Sequence, residues 1–342
     1  MIFKKKAILL TASVCVPLGF AGCSGGGNGG GVSTPTASPS PTTTPTTEPT
    51  SAPNNGPNIN VVAVTDDNRL ISFNAQRPGN TTPLTVSGIP TGQKLVGLDY
   101  RFAPDTAGTP GLYGLTSLGA GRFQLVKFTL TASTATASNV GAPFTAPLDP
   151  NSIGFDFNPQ VPSPTNPAVR VDRIRVVSGN RTNLRLNPNT GAVVDSDPTL
   201  SGTQLDGKLT FDADDIYQDN SPRVVAVAYT NNVASPSPSG TINYCLDIST
   251  NDLLTLGRAD RDGAGPDVAV SPNTGRLFTL RNFGSRFGNR TSFDIGPGAS
   301  NNFLFVTGRE LATLNISNFS ATSLGNVNTP DGIQLTGLAI VP

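Results

Sequence analysis

Ile153-Gly154-Phe155-Asp156-Phe157-Asn158-Pro159 is a short alternating run that stops at a turn. Arg173-Ile174-Arg175-Val176-Val177, Asn183-Leu184-Arg185-Leu186 and the brief Ala192-Val193-Val194 follow it. Four β-prone segments bounded by Gly, Pro, Asn and Asp read as four strands joined by turns. The pattern recurs on both sides. Val96-Gly97-Leu98-Asp99-Tyr100-Arg101 precedes Gly111–Leu115 and Phe123–Phe128. Leu209-Thr210-Phe211-Asp212 precedes Val224–Tyr229 and Ile242–Asp247, and Ser292-Phe293-Asp294-Ile295 precedes Phe303–Val306 and Leu311–Ile316.

Repeated four-stranded units at blade-like spacing predict an all-β fold, a β-propeller. The unit starts are marked by Asp99, Asp156, Asp212 and Asp294, at steps of 57, 56 and 82 residues. The long last step contains Asp267-Val268-Ala269-Val270 and Arg276-Leu277-Phe278-Thr279-Leu280, either a degenerate extra blade or an elaborated fourth strand. The hairpin of Val61–Thr65 and Arg69–Asn74 lacks a first strand, and Leu335–Val341 is a first strand with nothing after it. Pairing the two termini completes one blade and removes exposed sheet edges. Five blades closed by both termini are expected over residues 59–342, with six as the alternative. Gly, Pro, Asn and Thr interrupt every candidate amphipathic helix.

Composition excludes several chemistries. The chain has no histidine, so Ser-His-Asp and Cys-His triads are absent, as is the commonest transition-metal ligand. Its three cysteines are Cys15, Cys23 and Cys245, too few for a cysteine zinc site. Cys245, in Ile242-Asn243-Tyr244-Cys245-Leu246-Asp247, reads as a packed strand residue. Without residues 1–22 the chain loses Lys4, Lys5 and Lys6 and no acid, which leaves 20 basic and 23 acidic side chains, a balance of −3. No basic footprint for nucleic acid is present.

The N-terminus has Lys4-Lys5-Lys6, then an apolar run from Ala7 to Phe20. That run is shorter than the about 20 apolar residues of a spanning helix. Small residues Ala21-Gly22 precede Cys23. These parts make a secretory signal peptide over 1–22. With the cysteine at the cut site, the signal resembles that of bacterial lipoproteins; an ordinary cleaved signal is the alternative. The resemblance implies a lipid on Cys23, attachment to a membrane of the cell envelope, and, because Ser24 is not Asp, the outer membrane. Residues 23–58 are Gly-, Ser-, Thr- and Pro-rich and predict a disordered, extended linker.

Several stretches carry a second resemblance. They are Asp172–Ser178 with Asn183–Val193, Thr65-Asp66-Asp67-Asn68-Arg69-Leu70, Gly154–Pro159, Ala228-Tyr229-Thr230-Asn231-Asn232 and Gly337-Leu338-Ala339-Ile340. Together they resemble a bacterial family catalogued as domain of unknown function 4394. The chain departs from that pattern over Arg258 to Arg290. The resemblance implies a fold and no chemistry.

The repeated Asp99, Asp156, Asp212 and Asp294 are candidate binding residues. At matching positions they could converge near the ring axis, where carboxylates suit calcium. Alternatively, each caps its own turn. No other cofactor is expected. Arg173, Arg175 and Arg185 lie on adjacent strands, either as a solvated face or as a site for carboxylate or phosphate groups. Arg281, Arg286 and Arg290 with Phe283 and Phe287 form a candidate contact loop. No catalytic or metal residue is assigned. The expectation is a lipid-anchored binding or scaffold module with an envelope protein or glycan as partner. A carboxylate-based polysaccharide-active enzyme and a purely structural envelope protein are the alternatives.

Overall fold

The structure, a computed structural model, describes residues 54–342 apart from 104, 106, 107, 167, 234–239, 259–268, 285, 298–301, 331 and 332. The signal peptide, Cys23 and the linker up to residue 53 lie outside the described residues, as do Asp267 and Val268. Residues 54–58, counted with the linker in the sequence, are tied to the domain. Asn54 Nδ2 donates to the carbonyls of Ala75 and Leu324, and Gln76 Nε2 donates to that of Gly56.

The described residues are all-β, with no α-helix. Strands β1 (Asn60–Thr65), β2 (Leu70–Asn74) and β3 (Thr82–Ser87) form a first group. A second comprises β4 (Lys94–Arg101), β5 (Gly111–Gly119), β6 (Arg122–Leu130), β7 (Thr134–Asn139) and the short β8 (Phe144–Thr145). The third is β9 (Ile153–Pro162), β10 (Arg170–Ser178) and β11 (Asn183–Leu186). The fourth is β12 (Thr210–Phe211), β13 (Val224–Tyr229), β14 (Asn243–Asp247), β15 (Asp252–Leu256) and β16 (Arg276–Asn282). The fifth is β17 (Thr291–Ile295), β18 (Phe303–Thr307), β19 (Glu310–Asn315) and β20 (Ser320–Asn326), after which β21 (Leu335–Val341) ends the chain.

Both termini share one sheet, as the sequence expected. β1 pairs antiparallel with β2 on one side and with β21 on the other, so that Val62 faces Ser72 and Ala339. Other pairings differ from separate four-stranded units. β3 and β7 pair in parallel through Thr85–Ser87 and Thr134–Thr136, which fuses two groups into one mixed nine-stranded sheet. Its path is β21-β1-β2-β3-β7-β6-β5-β4, with β8 on β6. The remaining sheets have three, five and four strands. In the third group a single bridge from Leu186 to Val193 stands where a fourth strand was expected.

The fourth group also corrects the sequence reading. Its first strand is β13, not Leu209–Asp212. Thr210–Phe211 is β12, an outer strand added in parallel to β16. Arg276–Leu280 lies in β16, which pairs with β15 and so extends this sheet rather than starting another. The first strands β4, β9, β13, β17 and β21 contact one another in that cyclic order, and β21 returns to β4.

Burial follows from this ring. Five apolar layers separate successive groups. Leu70 and Val62 meet Leu112 and Phe128 between the first and second groups. Leu115 and Phe123 meet Ile174 and Leu184 between the second and third. Val177 meets Val227 and Leu254 next, then Val225 and Leu246 meet Phe293 and Phe305. Val61 and Ile71 meet Leu304, Leu338 and Ile340 to close the circuit.

Leu338 is 2% exposed in the closing layer. Leu338→Ala should cost about 2–5 kcal/mol in urea unfolding. Removal of Leu335–Pro342 should leave a chain with no cooperative melt, whereas an unchanged melting curve would contradict closure through β21.

Candidate functional site

The five first strands share a pattern that places chemistry at the ring axis. They read Gly97-Leu98-Asp99, Gly154-Phe155-Asp156, Ala226-Val227-Ala228, Ser292-Phe293-Asp294 and Gly337-Leu338-Ala339. The central residue of each is apolar and buried. The first is small for a steric reason. A Cβ on Gly154 would stand 2.9 Å from the Val227 amide nitrogen, and one on Gly97 would stand 2.8 Å from the Phe155 Cβ. These small residues line a gap of only about 10 Å³, so the strands approach closely along the axis.

Past this constriction the third position of three strands is Asp. Asp99, Asp156 and Asp294 are each at most 3% exposed. One oxygen from each lies within 4.8 Å of the other two. Each carboxylate reaches a neighbouring first strand. Asp99 Oδ2 accepts the Phe157 amide at 2.8 Å, Asp156 Oδ1 the Tyr229 amide at 2.9 Å, and Asp294 Oδ2 the Ile340 amide at 2.6 Å. Asp99 Oδ1 and Asp294 Oδ1 also accept the amides of Tyr100 and Ile295, each at 2.6 Å.

Three close carboxylates in a desolvated site cannot all ionise. Burial pushes Asp99 well above the ordinary carboxylate range, and the Asp294 charge pushes it further. Burial also raises Asp156 strongly, with added repulsion from Asp99 and Asp294. Asp294 is raised by burial to about 6, against the pull of the Ile340 and Ile295 amides. The trio therefore shares protons at neutral pH and titrates as a unit. Calcium takes about six to eight oxygen ligands, and the trio offers one close oxygen from each of three carboxylates. Here five backbone N–H groups already point at the three carboxylates.

Asp212 stands apart from this trio. Its Oδ1 accepts the Asp214 amide, its amide donates to the Leu277 carbonyl, and its carboxylate pairs with Arg276. It is a turn cap on an outer strand. The equivalent position in the fourth first strand is Ala228, whose successor Tyr229 donates to Asp156.

Arg173, Arg175 and Arg185 do come together, on β10 and β11. Arg175 is 3% exposed. Its Nη1 donates to Asp206 Oδ2 and Asn183 Oδ1, its Nη2 to Asn273 Oδ1, and its Nε to the Tyr229 hydroxyl. Arg185 grips both oxygens of the same Asp206. A further buried pair, Arg101 with Asp172, joins β4 to β10. Asp206 and Asp172 carry no sequence signal for these roles, since their partners lie far along the chain. In the contact loop, Phe283 packs on Phe287, which packs inward against Phe305, and Arg290 pairs with Asp66 at 2.6 Å. Cys245 is buried in β14, and burial pushes its thiol upward.

At the entry end of the first strands a polar mouth of about 290 Å³ opens. Val96, Ile153, Val225, Thr291 and Thr336, one from each first strand, form its floor. Asn68, Lys94, Asn151, Asn289 and the Arg290–Asp66 pair form the rim. Of this set, sequence reasoning singled out Arg290 as a candidate contact and missed the others. The available signal was position: these residues precede the repeated small-apolar-Asp pattern.

The domain is thus an all-β ring of strand groups with a buried carboxylate axis and a polar mouth. The chain belongs to the family described as "Domain of unknown function (DUF4394)", which matches residues 69–339. No curated protein matches it. Among solved structures, it is similar to a protein of unknown function from Bacteroides thetaiotaomicron, with 15% identity, a TM-score of 0.38, and coverage of 82% of this chain and 58% of that one. It is also similar to Raptor from Chaetomium thermophilum, with 12% identity, a TM-score of 0.36, and coverage of 80% and 20%. A protein from Lactobacillus plantarum shows 11% identity, a TM-score of 0.30, and coverage of 80% and 68%. The chain spans about a fifth of the Raptor chain and 58% of the Bacteroides one.

The carboxylate trio sets a pH dependence. Its members bind protons more tightly folded than unfolded, so stability falls as pH rises through the window from 3.8 to about 6 and beyond. The Asp294 shift alone corresponds to roughly 3 kcal/mol. The melting temperature should be higher at about pH 5 than at about pH 8. Asp156→Asn keeps an acceptor for the Tyr229 amide without the charge, and should raise melting at pH 8 and flatten the slope. A wild-type melting temperature that climbs steadily from pH 5 to 8 would contradict the shared-proton state.

Proposed function

We propose that this protein is a lipid-anchored envelope lipoprotein that carries a five-bladed β-propeller and binds a partner through the polar mouth. Five first strands in cyclic contact, five apolar layers and the β1–β21 ladder support the propeller reading. The β3–β7 pairing is then an outer-strand contact between two neighbouring blades. Lys4–Lys6, the short apolar run and Cys23 support the anchor, and Ser24 the outer membrane. The Pro-rich linker that ends before Asn54 is the spacer between lipid and domain in this reading, since proline-rich chain extends by about 3.1 Å per residue.

The observation that carries the binding role is the mouth itself. Each of the five first strands contributes one residue to its floor, so the site is preorganised by the whole ring. Its rim mixes amides, Lys94 and an exposed ion pair, which suits a polar protein surface or a glycan. The trio of aspartates is the ring's internal fastening. It is shut off from solvent, whereas paired glycosidase carboxylates flank a bound sugar and an attacking water. That geometry favours binding over carboxylate catalysis.

Cys23→Ser should move the protein from the membrane fraction to the soluble fraction; persistence in the membrane would refute the anchor. From detergent-solubilised envelope, the wild-type domain should retain a component that Lys94→Glu with Arg290→Glu loses. Equal retention by both would refute the mouth as the binding face.

A further inference from the structure

At the opposite end of the first strands, between the third and fourth groups, a second cavity of about 150 Å³ opens. Arg173, Arg175, Arg185, Tyr229 and Asn273 line it. Three guanidinium groups meet there, and one carboxylate, Asp206, is in direct contact with two of them. Asp206 is fully buried, and its two oxygens are consumed by Arg175 and Arg185. Nearby Asp172 is likewise committed, with both oxygens held by Arg101.

Arg173 has no carboxylate in direct contact, although the Asp172 and Asp105 charges lie near enough to act on it. Among the described residues it makes no ion pair, and its Nη1 donates to the Asp172 carbonyl. An arginine presents five N–H donors. The described residues place no acceptor on Arg173 Nε or Nη2, nor on Arg185 Nη1. Arg175 meanwhile is locked by four neighbours, so the charged wall is rigid. The cavity thus has surplus positive charge, fixed geometry and unmet donors. It is also well under the about 300–1,000 Å³ of sites for whole drug-sized ligands. It accommodates a group rather than a large molecule.

We propose that this cavity binds a tetrahedral oxyanion, the phosphate or sulfate group of a free anion or of an ester, with Arg173 and Arg185 as the donors and Arg175 as the fixed wall. Guanidinium forks match the geometry of such oxygens and form charge-assisted bonds to them. This site lies at the other end of the ring from the mouth and does not depend on what the mouth binds.

Thermal melting of the purified domain at constant ionic strength tests this, with inorganic phosphate, inorganic sulfate, glycerol phosphate, acetate and chloride as probes. Phosphate or sulfate should give a saturable upward shift of about 2–4 °C. Chloride should give none. A shift with glycerol phosphate as large as with phosphate marks an ester as ligand, and a smaller one marks the free anion. Arg173→Gln removes only one hydrogen bond to a backbone carbonyl, so it should melt normally without ligand and lose the shift. Titration calorimetry on the wild type supplies a second readout that needs no variant. Equal shifts with phosphate and chloride, an undiminished shift in Arg173→Gln, the absence of saturable heat, or a shift with acetate alone would each overturn the proposal.

Discussion

The fold depends on a single recurring contact: a buried carboxylate on one first strand accepts a backbone amide from another. Asp99 takes the Phe157 amide, Asp156 that of Tyr229, and Asp294 that of Ile340. First strands in neighbouring groups share no ladder, so their inward amides have no β partner. A buried N–H left unpaired costs about 1–3 kcal/mol. The aspartates meet that need, and their small neighbours Gly97, Gly154 and Ala226 let the strands come close enough for the reach. The cost is electrostatic, and proton sharing within the trio offsets it.

Much of this was legible because the contact leaves a sequence trace. An acid between two apolar residues in a β-prone run is a local conflict. Its recurrence at Asp99, Asp156 and Asp294 marked the innermost strand of three groups. The orphan strand Leu335–Val341 and the orphan hairpin at Val61–Asn74 likewise disclosed the closure seen in the β1–β21 ladder. The fourth group was misread for the same reason. Its first strand carries Ala228 instead of Asp, whereas Phe211-Asp212 imitates the pattern on an outer strand whose acid caps a turn.

Other features leave no such trace. The parallel β3–β7 pairing joins outer strands, where either a paired or a solvated edge is compatible with Thr-rich sequence. Asp206 sits in a turn-rich stretch, and its partners Arg175 and Arg185 precede it by 31 and 21 residues. Asn273 reaches Arg175 from 98 residues further on. Such networks are set by which loops the ring brings together. The same holds for the mouth, whose members share a position relative to the first strands and no common residue type.

The two ends of the ring therefore differ in kind. One is a broad polar mouth floored by all five first strands, and the other holds a compact arginine-lined cavity between two groups. The carboxylate axis lies between them. Native-state hydrogen exchange on the Phe157, Tyr229 and Ile340 amides tests this central claim most directly. The account expects all three to exchange only through global unfolding, with one common free energy among the highest in the chain. Rapid exchange at any of them, or three separate opening energies, would contradict the carboxylate contact as the link that closes the ring.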